Sequence, residues 1–78
     1  MVNSLKLTLK AARINKGLSQ KQAAQALGIA EDTLSNYERG KSYPDIKILR
    51  LIEKVYGVEY NNLIFLPLDN EFFVNKTI

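Results

Sequence analysis

The run from Ser19 to Gly40, SQKQAAQALGIAEDTLSNYERG, sets the tightest limit on how this 78-residue chain can fold, because it spells two short helices joined by one sharp turn. Ser19 with Gln22 three residues later is a capping box, in which each side chain satisfies a backbone N–H of the other residue, so a helix is expected to start at Gln20. It should end near Leu27, where Gly28 can turn the chain through the left-handed region without the steric cost of a Cβ. A second helix is expected over Glu31 to Arg39, closed by Gly40. Two such short helices cross steeply only if the residue at their contact is small, and Ala24, one turn before Gly28, is that pivot. Leu34 and Tyr37 fall on the face that turns back toward it, while Asp32, Thr33 and Asn36 fall on the opposite face.

Several further signals stand at fixed spacing around this run: Arg13 before Gly17-Leu18-Ser19-Gln20, the Ala24 and Gly28 pair, the stretch Thr33-Leu34-Ser35-Asn36-Tyr37-Glu38-Arg39-Gly40-Lys41, and Pro44 opening the next helix. Together they resemble the Cro/C1-type, or Xre-like, helix-turn-helix family of phage repressors and bacterial regulators, over roughly Leu5 to Leu66. The resemblance implies an all-α, compact five-helix bundle of the lambda-repressor-like type, with its third helix inserted in the major groove of double-stranded DNA. Two residues depart from the family pattern. Ala23 stands where a larger apolar residue is more usual, which implies a lighter core, and Ala30 replaces the Ser or Thr that caps the recognition helix, a loss of about 1 kcal/mol.

Outside the motif, Leu7, Ala11, Ile14 and Leu18 form a stripe at helical spacing, so the first helix is expected to turn this face to the core and to end at Gly17. Tyr43-Pro44 reads as an extended step, because the proline ring disfavours helical geometry at the preceding residue. Asp45 then caps a fourth helix reaching Tyr56, with Ile46, Leu49, Ile52 and Tyr56 on its buried side and Gly57 ending it. A short fifth helix is expected near Tyr60 to Ile64. The chain thus divides into a DNA-binding domain over 1–66 and a tail over 67–78, where Pro67, Asp69 and Asn70 read as a turn and Phe72, Phe73, Val74, Thr77 and Ile78 favour a strand.

With 46% hydrophobic residues, a chain of this length can bury one small core. It has neither cysteine nor histidine, which removes disulfides, thiolate metal sites, thiol nucleophiles and the commonest general base. No Gly-rich phosphate loop occurs, so the expectation is a non-enzyme without cofactor or metal. The longest apolar run, Leu63 to Leu66, is far short of a membrane span, and no uninterrupted apolar signal segment opens the chain, so a cytoplasmic protein is expected. Asn75-Lys76-Thr77 matches a glycosylation sequon with no supporting context. The net charge is +3, and Lys6, Lys10, Arg13, Lys16 and Lys21 all precede the first acid, Glu31. The first two helices are therefore expected to be electropositive, as a surface facing phosphates would be.

A recognition helix contributes base contacts from its first turns, which makes Glu31, Asp32, Thr33 and Asn36 the candidate readers. Asn36 can pair bidentately with adenine, and Thr33 can offer a methyl to thymine or a hydroxyl to an acceptor. Glu31 and Asp32 can accept from cytosine N4, but acids in a first turn are also explained by the helix dipole alone. By resemblance Gln20 meets a phosphate at a helix N-terminus, and Arg39, Lys41 and Tyr43 make a second backbone contact to which Ser35 can add a hydroxyl. The resemblance also implies a structural salt bridge between Arg13 and Glu38. Ile64, Phe65, Phe72, Phe73 and Val74 are the expected interface of a homodimer, since a monomer of this fold covers one half-site. Two functions follow: a regulator, in particular a repressor, on a palindromic operator, or an antitoxin-like interaction module whose apolar tail captures a partner.

Overall fold

A computed structural model describes residues 6–65. Its elements run β1 (Leu7–Thr8), α1 (Leu9–Asn15), α2 (Gln20–Leu27), α3 (Glu31–Glu38), α4 (Ile46–Tyr56), a single 3-10 turn (Tyr60–Asn62) and β2 (Leu63–Ile64). The chain is mostly helical, with four α-helices among the described residues. The expected fifth helix is a lone 3-10 turn followed by a strand: Leu63 and Ile64 pair in parallel with Leu7 and Thr8. The tail strand expected from Phe72, Phe73, Val74, Thr77 and Ile78 lies outside the described residues.

The helices end alike. Each is followed by a glycine with positive φ, and the residue after that glycine returns its N–H to a carbonyl five positions back: Leu18 to Arg13, Ile29 to Ala24, Lys41 to Asn36 and Val58 to Glu53. This closure satisfies carbonyls that a helix end would leave bare. Leu18, Ile29 and Val58 then pack on the core, so one local device both stops the helix and covers its end.

The core consists of Leu9, Ala12, Ala23, Ala24, Leu27, Leu34, Ile52, Tyr56 and Leu63. Ala24 is a buried residue of α2, and its carbonyl accepts the Ile29 N–H where the chain turns toward α3. Ala23 is wholly buried too. Two apolar stripes are corrected. In α1 the helix begins at Leu9 under a Thr8 cap, Leu7 belongs to the strand, and Leu9, Ala12 and Arg13 face inward while Ile14 is 57% exposed. A hydropathy stripe counts arginine as outward, so it cannot register a face centred on Arg13. In α4, Ile52 and Tyr56 are buried and Leu49 half-buried, but Ile46 is 68% exposed, and in the first turn it is Ile48 that packs on the core.

Candidate nucleic-acid interface

Glu31, Asp32, Thr33, Ser35 and Asn36 all lie on α3, which is fixed from behind by Leu34, a fully buried side chain, and by half-buried Tyr37. Glu31 and Asp32 are exposed, whereas Thr33, Ser35 and Asn36 are half-exposed. The helix thus shows a polar face to solvent. No side chain caps its N-terminus: Ala30 occupies that position, in contrast to Thr8, Ser19 and Asp45, which cap α1, α2 and α4. Glu31 and Asp32 offset part of this deficit, since each carboxylate favours the positive end of the helix by about 0.3–1 kcal/mol.

The rear of α3 is anchored far more firmly. Arg13 Nε donates to Glu38 Oε2 at 2.6 Å and Arg13 Nη2 to Glu38 Oε1 at 3.2 Å, with the Glu38 side chain 3% exposed. Arg13 Nη1 donates to the Leu18 carbonyl at 2.8 Å, which ties in the chain entering α2. The hydrogen bond to Glu38 raises the Arg13 pKa above its ordinary value, against burial and with the help of the carboxylate's charge. Tyr56 of α4 completes the cluster. Its hydroxyl is buried without a hydrogen-bond partner among the described residues, and burial, followed by the charge of Glu38, pushes its pKa up to about 12. Tyr37 is also raised, by burial and then by the charge of Asp45.

Gln20 Nε2 donates to Glu38 Oε1 at 3.0 Å, so the residue expected at a phosphate is held against the end of α3. An amide nitrogen carries two donors, which leaves one for an anion. The Gln20 contact was not legible in sequence, because Gln20 and Glu38 are 18 residues apart and only the packing of α2 on α3 brings them together. Arg39 turns its guanidinium onto Asn36, Nη2 to Oδ1 at 3.1 Å. Lys41 is exposed directly after Gly40. Tyr43 stands in the connection to α4, its ring edge-on to Phe65 at 6.1 Å.

Arg13, buried in the ion pair, drops out of the expected basic surface, while Lys6, Lys10, Lys16 and Lys21 are exposed. Of the expected dimer residues, Ile64 is 42% exposed and Phe65 packs within its own chain against Tyr43 and Tyr60. Phe72, Phe73 and Val74 lie outside the described residues.

A family model described as helix-turn-helix matches residues 9–63, which contain all four helices. The chain belongs to the helix-turn-helix family, Cro/C1 type. It is similar to the HTH-type transcriptional regulator ImmR of Bacillus subtilis, with 41% identity over 61 residues, 78% of this chain and 48% of the relative. It is also similar to the SPbeta prophage-derived uncharacterized HTH-type transcriptional regulator YonR of the same organism, with 39% identity over 56 residues, 72% of this chain and 52% of the relative. The cryptic phage CTXphi transcriptional repressor RstR of Vibrio cholerae is 29% identical over 52 residues, 67% of this chain and 47% of the relative. The chain therefore spans about half the length of these relatives. Among the described residues, no helix is long and apolar enough to cross a membrane.

Proposed function

We propose that this protein is a sequence-specific DNA-binding transcriptional regulator, acting as a repressor on a two-fold symmetric operator that it binds as a homodimer. The observation that carries the reading is the split of α3: Leu34 is fully buried and Glu38 is locked to Arg13, while Glu31, Asp32, Thr33 and Asn36 face outward from an end with no side-chain cap. A helix held at the back and left polar in front suits insertion in a major groove, with its first turns at the base edges. Thr33 and Asn36 are the principal readers, and Asp32 and Glu31 lie beside them. Lys41, Ser35, Tyr43 and the second donor of Gln20 meet phosphates and set the register without reading sequence. The names of the relatives, RstR's above all, support regulation and repression. Residues 1–66 form the DNA-binding domain, and the exposed Ile64 together with the tail over 67–78, which carries Phe72, Phe73 and Val74, forms the dimer contact. It works in the cytoplasm and catalyses nothing.

The test is a selection from a random duplex pool, followed by sedimentation of the full chain and of a chain ending at Leu66. The expected outcome is an enriched palindrome with half-sites roughly 34 Å apart, bound with a steep salt dependence by a dimer that the shortened chain cannot form. A pool that enriches nothing refutes the reading.

A further inference from the structure

Arg39 and Asn36 stand one turn apart at the end of α3, joined by the guanidinium-to-amide hydrogen bond of 3.1 Å. The backbone fixes both residues. The Asn36 carbonyl accepts the Lys41 N–H at 2.9 Å in the glycine closure, and the Arg39 N–H donates to the Ser35 carbonyl at 3.0 Å. Arg39 also sits at the helix C-terminus, where the macrodipole favours a cation.

A half-turn of a side-chain amide exchanges its oxygen for its nitrogen, and the two demand opposite partners on a base edge. A guanidinium offers donors and no acceptor, so beside Arg39 one of those orientations is satisfied and the other sets donor against donor. We propose that Arg39 is a positioning residue for base reading, which holds the Asn36 amide with Oδ1 toward itself and Nδ2 outward. Nδ2 then requires an acceptor, purine N7, and the second lone pair of Oδ1 selects the N6 amino group of adenine over the O6 of guanine. The assignment rests on α3 being the reading helix, and it gives Arg39 a part in specificity that a phosphate contact does not have.

The experiment compares the full-length chain with Asn36→Ala, Arg39→Ala and the double variant, each by selection from a random duplex pool and by titration on the enriched site and on that site altered at single base pairs. Asn36→Ala identifies the base pair that Asn36 reads. At that pair Arg39→Ala should cut the preference for adenine on the order of tenfold, leave the other pairs as they were, and change nothing further once Asn36 is already alanine. Arg39 is exposed, so the helical circular dichroism of the variant should match the parent's. A uniform loss on every sequence, with the preference at that pair intact, overturns the assignment and leaves Arg39 a phosphate contact. Unaltered preferences in Asn36→Ala overturn it as well, while the wider reading stands. If the parent chain enriches no sequence, α3 is not a reading helix and both fall.

Discussion

α3 and the other three described helices obey different rules at their ends. Thr8, Ser19 and Asp45 place a side-chain oxygen on the first turn of α1, α2 and α4, whereas Ala30 at the head of α3 offers none. After the closing glycine, α1, α2 and α4 send Leu18, Ile29 and Val58 to the core, whereas α3 sends Lys41 to solvent. Both differences cost α3 local stability, and both leave its surface open to a polyanion. What holds α3 in place is tertiary: Leu34 beneath it and the Glu38 carboxylate at its rear. On the proposed reading, local rules are broken where the DNA-facing surface lies, and long-range contacts offset the loss.

Breaking the rear anchor should have the largest effect. Glu38→Ala leaves Arg13 buried without its counter-charge and frees Gln20, so stability should fall by about 3–5 kcal/mol, read as the urea midpoint at constant slope. A loss below about 1 kcal/mol would mean that the pair is in effect solvated and that α3 is held by Leu34 alone.

The tyrosine beside that pair supplies a test by pH. Its pKa rises from 10 in the unfolded chain to about 12 in the fold, so the unfolded chain gives up its proton first. The Tyr56 contribution is therefore fully present below pH 10 and should be lost between pH 10 and 12, by up to about 2–3 kcal/mol. Tyr56→Phe should flatten this alkaline limb in a pH series of thermal melts. An unchanged limb would assign the loss to other groups.

Smaller effects separate the exposed face from the anchor. Asn36→Ala should cost about 1–3 kcal/mol on the cognate site and little on random DNA, whereas Lys41→Ala should weaken both alike and lower the salt slope by about one. Equal losses for Asn36→Ala on the two DNAs would remove it from the readers. Restoring the missing cap with Ala30→Ser should raise stability by about 1 kcal/mol with the fold unchanged, measured by denaturant unfolding. No gain would show that the Glu31 and Asp32 charges already complete the first turn.

Much of this architecture was legible from residues a few positions apart. The Ser19–Gln22 box, the left-handed Gly28, the starts of α2 and α3, and the span of α4 from its Asp45 cap to Gly57 all stand where their spacing places them. The Arg13–Glu38 pair was available through family resemblance, since nothing in a separation of 25 residues announces an ion pair. Other features were not legible. The buried face of α1 is centred on an arginine, so a count of apolar residues points to Ile14 instead. Leu63 and Ile64 continue a segment of helical appearance, but their pairing with Leu7 and Thr8 depends on where the two segments are carried by four intervening helices.

The sequence by itself determined where α2, α3 and α4 start and stop, because caps and glycine closures are hydrogen bonds among neighbours in the chain, and their geometry does not wait for the rest of the fold. It also determined which side of α3 is polar. Tertiary structure alone decided what that helix is fastened to and which donors on its surface remain free. Gln20 is turned to Glu38 and Tyr56 is buried beside the ion pair only because packing brings distant residues to one place. Local propensity acts over about one turn of helix, whereas burial and charge act through space.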